Sequence, residues 1–455
     1  MTKLAGSEPP IVSKGDWGLL RQVGAVFYGK LASTALNAGI KVFIASFFLV
    51  QGNGVFAIHL SIVGVVGLLA TMGFGNAILK LSASHYKDEI DILKQDYVTM
   101  ITAALLILFT IPVPLIWVLA ESLAEHFGGD ATSALLFQIS ALTLIPHCML
   151  EINVEVIRGI GKSYAYVVFK EVGIAGVMLI SMFMMMQSSV EDILIPVKSH
   201  AIGVIVFSLL CFLMVIRSLY LGKSKKVRGG SGHSLWYLMQ ISLPMMLSKG
   251  LVFILPGIPI LVLGFFTDSK EVGIYWMAYA LSLFARVISY SMNVVVAPAI
   301  ASHYKLGEHD QLLNIVKRSV RLTFWISLPI LLGMMALSSK IMGIAGAEFI
   351  SGWPVMCVFL VAHLVDMICG PVGYLLTMTG KERVFAVTTS ICTFTTVVTL
   401  FVLCPLFQGL GAALAYLVFF VIWNLSSIRF IERHLGFSPI YIPGITKVSL
   451  KKKEA

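Results

Sequence analysis

Residues Ile195–Val215 read IPVKSHAIGVIVFSLLCFLMV and contain a single charged side chain, Lys198. A helix rises about 1.5 Å per residue, so this stretch would span roughly 30 Å, the thickness of the hydrocarbon core of a bilayer. Its apolar residues follow one another without the alternation that is typical of a transmembrane barrel strand. Because lipid offers the backbone no hydrogen-bond partners, the stretch is predicted to cross the membrane as a helix.

Similar apolar stretches recur from end to end of the 455-residue chain. Hydrophobic residues make up 58% of the chain and charged residues 12%, against roughly 45–50% and about 25% in soluble domains. The sequence therefore predicts an all-α integral membrane protein with about twelve transmembrane helices. These predicted segments 1 to 12 are Leu19–Phe48, Val55–Leu79, Tyr97–Ala120, Leu135–Ile160, Ala165–Met186, Ile195–Val215, Leu238–Phe266, Ile274–Ile300, Leu322–Leu337, Pro354–Met378, Val384–Leu403 and Leu410–Phe430.

The basic residues are distributed unevenly between the two sides of the membrane. If the N-terminus is cytoplasmic, the cytoplasmic connections and adjoining segment ends hold 25 of the 33 Lys and Arg residues, as the positive-inside rule requires. We therefore expect both termini to lie in the cytoplasm, and we expect no cleaved signal peptide. This topology accounts for the net charge of +10, so no nucleic-acid partner is expected. The six cysteines lack metal-ligand spacing, and no metal site is predicted.

An internal repeat divides the chain into two halves. A shift of 219 residues places Gly54-Val55-Phe56 on Gly273-Ile274-Tyr275, and Gly161-Lys162 on Gly380-Lys381. Each half has six segments, so the halves share one orientation and are predicted to be related by a pseudo-twofold along the membrane normal. The predicted parts are a cytoplasmic N-terminal segment (1–18), an N-lobe (19–219), a cytoplasmic linker (220–234), a C-lobe (235–434) and a basic cytoplasmic tail (435–455).

Several charged and polar residues lie inside segments 1, 7 and 8, where an ionisable group usually faces a cavity or the bundle interior. No acidic residue lies in these three segments, so the cations were expected to be unpaired and to line a cleft between the lobes. Such a cavity suits an anion, with phosphate or pyrophosphate as the best fit to guanidinium and ammonium groups. The two tyrosines are candidates for stacking on sugar rings, with helix packing as the alternative. The candidate residues are Lys30, Asn37, Lys41, Lys249, Tyr275, Tyr279, Arg286 and Asn293.

A second group of ionisable residues lies on segments 4 and 10: His147, Glu151, Glu155 and Asp366. One interpretation is a site for coupling to an ion gradient, because buried carboxylates and histidines titrate near neutral pH. The other is structural pairing of Glu155 with Arg158 and of Glu151 with Lys170. His59 and His200 have no partner evident from the sequence and are predicted to be packed or interfacial.

The chain resembles a known family along nearly its whole length. The resemblance is carried by Gly54-Val55-Phe56, Gly73-Phe74-Gly75-Asn76, Val272-Gly273-Ile274-Tyr275, Ala297-Pro298, Gly346-Ala347-Glu348-Phe349, Gly370-Pro371-Val372-Gly373 and Met378-Thr379-Gly380-Lys381. This pattern is similar to that of the Wzx-type polysaccharide flippases of the MOP (multidrug/oligosaccharidyl-lipid/polysaccharide) exporter superfamily.

The resemblance implies a transporter and not an enzyme. It implies that the protein moves undecaprenyl-pyrophosphate-linked oligosaccharide units to the periplasmic leaflet by alternating access, for O-antigen, capsule or exopolysaccharide synthesis. Membrane lipid, a polysaccharide polymerase and a chain-length regulator are then the expected partners. No cofactor is expected, and the candidate energy source is a proton or sodium gradient. The alternatives are an ion-coupled drug exporter related to the MATE transporters and, from another class, a membrane glycosyltransferase or polymerase.

Overall fold

A computed structural model of the protein describes residues 16–85, 90–127, 134–187, 192–220, 232–246 and 256–443. Almost all of these residues are helical. The α-helices are α1 (Asp16–Thr71), α2 (Phe74–His85), α3 (Ile90–Thr110), α4 (Pro112–Val118), α5 (Ala120–His126), α6 (Ala134–Gly159), α7 (Ser163–Val167), α8 (Gly173–Met186), α9 (Ile195–Tyr220), α10 (Leu235–Met245), α11 (Gly257–Phe266), α12 (Ser269–Ser282), α13 (Val287–Leu306), α14 (His309–Ala336), α15 (Ser338–Gly343), α16 (Trp353–Cys369), α17 (Val372–Met378) and α18 (Glu382–Leu435). A π-helical turn, Val168–Val172, joins α7 to α8, and 3₁₀ turns precede α13 and α16.

The described helices account for the predicted segments. Nine helical stretches among the described residues are long and apolar enough to cross a membrane. Two of them, in α1 and α18, are too long for one crossing, because α1 has 56 residues and α18 has 54, about 80 Å of straight helix each. Leu49 and Gln408 interrupt these helices with positive φ angles of 56° and 51°. Segment 7 is described at its two ends, as α10 and α11.

The chain folds back on itself within α18. The indole N–H of Trp423 donates a hydrogen bond to the hydroxyl of Thr389 at 3.1 Å, although these residues would lie about 50 Å apart along a straight helix. The reversal at Gln408 therefore separates segment 11 from segment 12. The predicted boundary between Leu403 and Leu410 therefore agrees with the backbone reversal at Gln408.

The described residues form two compact units. The N-terminal unit is drawn from Phe43–Trp276 with Leu400–Gly409, and the C-terminal unit from Met1–Val42, Met277–Thr399 and Leu410–Ala455. The core of the N-terminal unit packs α2 and α3 against α6 and α9, around Phe74 and Met100. The core of the C-terminal unit packs α13 and α14 against α17 and α18, around Val316 and Leu375. The lobes predicted from the repeat, 19–219 and 235–434, have other boundaries and stay a prediction.

The two halves of the sequence build the same backbone turn at the 219-residue offset. Gly161 and Gly380 both adopt left-handed φ angles, 87° and 74°, which glycine reaches without steric cost. The N–H of the following lysine donates to a carbonyl five residues earlier in each case, from Lys162 to Ile157 at 3.1 Å and from Lys381 to Leu376 at 2.9 Å. This shared helix-ending geometry agrees with the internal repeat.

Two glycines related by the repeat touch each other in the N-terminal unit. A Cβ atom on Gly54 would overlap the carbonyl oxygen of Ser269, and one on Gly273 would overlap the carbonyl oxygen of Val50. Val50 and Ser269 are themselves 219 residues apart, so the contact is symmetric under the repeat. The second part of α1 and helix α12 therefore cross backbone to backbone, and only glycine fits at the crossing.

A buried carboxylate fastens the end of the linker to α3. Asp96 is fully buried and accepts hydrogen bonds from the backbone N–H of His233 at 2.7 Å and from its Nδ1 at 2.8 Å. The side-chain oxygen of Gln95 accepts the backbone N–H of Gly232. These bonds fix the chain just before α10, where the second half of the repeat begins.

We expect Asp96→Ala to lower the apparent melting temperature of the purified protein by roughly 2–5 °C. The substitution leaves the buried N–H of His233 unpaired, which costs about 1–3 kcal/mol. Asp91→Ala is the matched control, because Asp91 is half exposed and pairs with Lys94 on the surface of the same helix. An equal effect of the two substitutions in a thermal unfolding assay would contradict the anchoring role of Asp96.

Candidate functional site

Arg286 occupies an irregular point in the C-terminal unit. It ends the 3₁₀ turn Leu283–Arg286 between α12 and α13. Its guanidinium lies 3.6 Å from a carboxylate oxygen of Asp366 on α16 and 5.5 Å from the ring centre of Phe420. The expectation that Arg286 is unpaired is therefore wrong. Its carboxylate partner comes from segment 10, which the sequence analysis had not placed beside segment 8.

Aromatic side chains surround this ion pair. Tyr279 and Tyr416 pack edge to face with ring centres 5.8 Å apart, and both phenols lie next to Arg286. His363, one turn before Asp366, packs against Tyr416 and contacts the Ser282 hydroxyl at 3.2 Å. These aromatic rings place the guanidinium in a largely apolar environment, while its side chain keeps 37% exposure.

A small pocket lies beside the ion pair within the C-terminal unit. Asp366, Asn293, Gly370 and Pro371 are among the residues that line it. Three hydroxyl side chains complete the polar lining: Ser289, Ser319 and Thr323. Asn293, a predicted candidate, therefore shares a pocket with Asp366, a candidate from the other predicted group.

Lys30 and its neighbours on α1 belong to the same unit. The Lys30 ammonium lies 5.0 Å from the ring centre of Tyr290 on α13, a cation–π distance. Within the described part of the chain, no carboxylate lies within ion-pairing distance of Lys30. Asn37 is exposed and donates to the Ser33 carbonyl at 2.9 Å, and Lys41 is half buried. Lys249, the repeat-mate of Lys30, lies outside the described residues.

Tyr275 and Tyr279 are engaged in packing. Tyr275 is 2% exposed and lies in the N-terminal unit. Tyr279, in the C-terminal unit, packs edge to face against Phe359 as well as Tyr416. The burial of Tyr275 and the ring contacts of Tyr279 favour the helix-packing alternative, and sugar stacking stays a prediction for both.

The acidic residues of α6 are paired as the structural interpretation predicted. Glu155 accepts from Arg158 at 3.2 Å, and Glu151 accepts from Lys170 at 2.7 Å. Lys170 lies in the π-helical turn Val168–Val172. The two pairs are confirmed, and ion coupling through Glu151 or Glu155 stays a hypothesis.

The repeat places His147 and Gly67 at the positions that correspond to Asp366 and Arg286. A Cβ atom on Gly67 would lie 2.9 Å from the His147 ring, so the same two helix positions touch in both halves. Only the C-terminal unit uses this contact for an ion pair. The N-terminal unit has Gly67 at the position that corresponds to Arg286, so this contact forms an ion pair only in the C-terminal unit.

Sequence reasoning missed a hydrogen-bonded group in the N-terminal unit. His59 contacts the Ser140 hydroxyl at 2.8 Å and His200 at 3.0 Å. The prediction that these histidines are packed agrees with the structure, and their partners come from three helices that are distant in sequence. Neither the 219-residue shift nor any helical spacing relates residues 59, 140 and 200, so no sequence signal could have found the group.

The fold is similar to that of solved transporters of the MOP superfamily. A lipid II flippase, MurJ, in an inward closed conformation has a TM-score of 0.68 and 13% identity, over 90% of this chain and 87% of that chain. A multidrug resistance MATE transporter in an inward-facing conformation has a TM-score of 0.65 and 12% identity, over 94% and 96%. A MOP transporter from Pyrococcus furiosus, whose structure is described as having a binding pocket of reverse polarity, has a TM-score of 0.57 and 13% identity, over 92% and 96%.

A family comparison is more specific than the fold. Residues 43–349 match the model of a family described as polysaccharide biosynthesis protein, and the chain belongs to this family. No curated protein sequence gives a significant match. The protein is thus a multi-pass membrane protein with a transporter fold from a polysaccharide biosynthesis family.

Proposed function

We propose that the protein moves a lipid-linked oligosaccharide from the cytoplasmic to the periplasmic leaflet of the bacterial inner membrane. The observation that carries this proposal is the pair of intramembrane cations in the C-terminal unit. Lys30 has a cation–π partner and no carboxylate among the described residues, and Arg286 stays partly exposed beside one carboxylate at 3.6 Å. Cations held this way inside a membrane protein favour an anionic substrate.

Arg286 is proposed to bind the pyrophosphate that links the sugar to its lipid. Guanidinium forms two parallel hydrogen bonds with a phosphate group, and these are stronger and shorter than the 3.6 Å contact with Asp366. An arriving pyrophosphate would therefore take the guanidinium from Asp366, while Lys30 adds a mobile positive charge. The lipid tail would remain in the bilayer while the sugar passes through the protein by alternating access.

Membrane orientation and partners follow from the same proposal. In the proposed orientation, 25 of the 33 Lys and Arg residues lie on the cytoplasmic side, together with both termini, as the positive-inside rule favours. Surface polysaccharide synthesis, such as that of O-antigen, capsule or exopolysaccharide, supplies the substrate on the cytoplasmic side. A polymerase and a chain-length regulator would then act on the flipped units.

A drug exporter is the second candidate function, and Asp366 is the observation that favours it. A carboxylate in a pocket with one amide and three hydroxyls can hold a small cation or a proton. Such an exporter would lose transport of cationic compounds with Asp366→Asn and would keep it with Lys30→Ala. The flippase predicts a loss of polysaccharide export with Lys30→Ala.

Removal of single cations tests the proposed function. We expect Lys30→Ala, Lys249→Ala and Arg286→Ala each to reduce surface-polysaccharide export by roughly tenfold or more, because each removes a charge-assisted contact worth about 1.5–3 kcal/mol. Export is measured in cells whose only copy of the gene carries the substitution, with the amount of membrane-inserted protein measured in parallel.

Two further variants complete this test. Lys30→Arg keeps the charge and should retain most export, and Lys340→Ala removes an exposed lysine of α15 and should leave export unchanged. Full export by all three alanine variants at normal protein levels would overturn the proposal.

A further inference from the structure

His59, His200 and Ser140 form a hydrogen-bonded chain inside the N-terminal unit. His59 lies on the second part of α1 and is fully buried, Ser140 lies on α6, and His200 on α9 is half buried. The Nδ1 atom of His59 lies 2.8 Å from the Ser140 oxygen, and its Nε2 atom lies 3.0 Å from Nδ1 of His200. The two rings meet nearly at right angles, at 80°. Both nitrogens of His59 are therefore used.

The order of donors along the chain follows from Ser140. Its hydroxyl donates to the Leu136 carbonyl at 2.7 Å, so its oxygen accepts the proton on Nδ1 of His59. Neutral His59 then has a lone pair on Nε2, which accepts the proton on Nδ1 of His200. Nε2 of His200 is left with a lone pair, so the chain ends in a base on its half-buried residue.

The surroundings of the two histidines are apolar. The Phe56 ring packs against both imidazoles and against Trp276 on α12. His147 on α6 is the titratable group whose charge acts on both histidines. Glu151, also on α6, is paired with Lys170 of the π-helical turn.

Two further charged groups near the ends of these helices are also engaged. Lys198 on α9 is paired with Asp192, and Glu271 on α12 accepts the backbone N–H of Gly409. Among the described residues, no carboxylate forms an ion pair with His59 or His200. A proton added to the chain would therefore be a positive charge without a counter-ion in apolar packing.

The free-energy cost of this unpaired charge links proton binding to a conformational change. A buried uncompensated charge is unfavourable, so a conformation in which water reaches the histidines binds the proton more tightly than the packed one. A ligand that distinguishes two conformations shifts the equilibrium between them. Protonation at this place would therefore favour an opened N-terminal unit.

We propose that the His59–His200 pair is a proton-binding site that couples transport to the proton gradient. This inference rests on the proposed transport function. A proton from water bonds to Nε2 of His200, and the proton on Nδ1 of His200 can pass to Nε2 of His59, so one proton is gained and none is lost. Imidazole nitrogens select protons, whereas sodium ions need oxygen ligands.

His200→Asn is the decisive variant. The asparagine amide can donate to Nε2 of His59 in place of the Nδ1–H, but it has no basic nitrogen. We expect the purified variant to take up one proton fewer than the wild type when an unbuffered solution is acidified, measured with a pH indicator. In cells, we expect its export to fall about tenfold or more and the remainder to become insensitive to a proton uncoupler.

His126→Asn is the control, because His126 is exposed and bonded to a backbone carbonyl of its own helix. Its export should be unchanged and should stay sensitive to the uncoupler. Equal proton uptake by His200→Asn and the wild type would overturn the proposal, and so would normal, uncoupler-sensitive export by His200→Asn. Proton uptake is measured without substrate and tests the histidine site alone. The export of Lys30→Ala tests the proposed transport function, so the two proposals can fail independently.

Discussion

Gly54→Ala is expected to abolish the folded protein. The added methyl group would overlap the Ser269 carbonyl oxygen, which belongs to the backbone of α12 and cannot rotate away. Relief requires the second part of α1 to move away from α12 along their crossing. Buried overpacking of side chains already costs about 1–3 kcal/mol, and a clash between two backbones exceeds that range. Gly273→Ala should have the same effect, because its Cβ would overlap the Val50 carbonyl oxygen.

Gly64→Ala provides the matched control. Gly64 lies on the same helix as Gly54, three turns away, and a Cβ atom there meets nothing within 4 Å. Its substitution should leave the protein level and the melting temperature unchanged or slightly higher. The measurement is the monodisperse fraction after detergent extraction, together with the apparent melting temperature. Normal yields of Gly54→Ala would show that the crossing found between α1 and α12 is not the one that the protein adopts.

Asp366→Ala is expected to cause a large loss of both stability and transport. Removing Asp366 leaves an uncompensated charge, and because the pair is only partly buried, with exposures of 37% and 17%, the cost is below the ~3–5 kcal/mol of a fully buried pair. Arg286 would be that charge, surrounded by Phe420, Tyr279 and Tyr416. We expect a clear fall in the melting temperature and a loss of polysaccharide export in cells.

The double substitution Arg286→Met with Asp366→Leu separates stability from transport. Apolar side chains of similar volume can replace a buried ion pair with little change in stability, or with a gain. The double variant should therefore recover the melting temperature of the wild type and still fail to export, because the proposed pyrophosphate ligand is gone. The surface pair Asp91 and Lys94 is the control, since its removal should cost less than about 1 kcal/mol. Export by the double variant would show that Arg286 acts only in packing.

Hydropathy and charge were sufficient for the architecture. Predicted segments such as Ile195–Val215 and Leu135–Ile160 coincide closely with α9 and α6, because a helix in lipid must satisfy its own backbone hydrogen bonds. The repeat could also be recognised in the sequence, and Gly161 and Gly380, which it relates, end their helices in the same left-handed turn. Ion pairs such as Glu155 with Arg158 were predictable for the same local reason, because residues three apart face each other on a helix.

The candidate site was only partly predictable. The sequence identified Arg286, Asp366 and Asn293 as candidates, but it assigned Arg286 to an unpaired cationic cavity and Asp366 to a separate acidic group. Their separation of 80 residues carries no information on contact, because any two segments can be neighbours until packing selects them. For the same reason, the contacts among His59, Ser140 and His200 could not be predicted from the sequence.

The sequence by itself therefore determined which stretches are helices in a membrane, where the repeat begins again, and which ionisable residues lie inside. The tertiary structure decided how the ionisable residues are paired: Arg286 with Asp366, Lys30 with the Tyr290 ring, and His59 with His200. Hydropathy and spacing act along one helix, whereas these contacts depend on the rotation and depth of one helix against another. Those variables are fixed by packing at places such as Gly54 and Gly273, where two backbones touch.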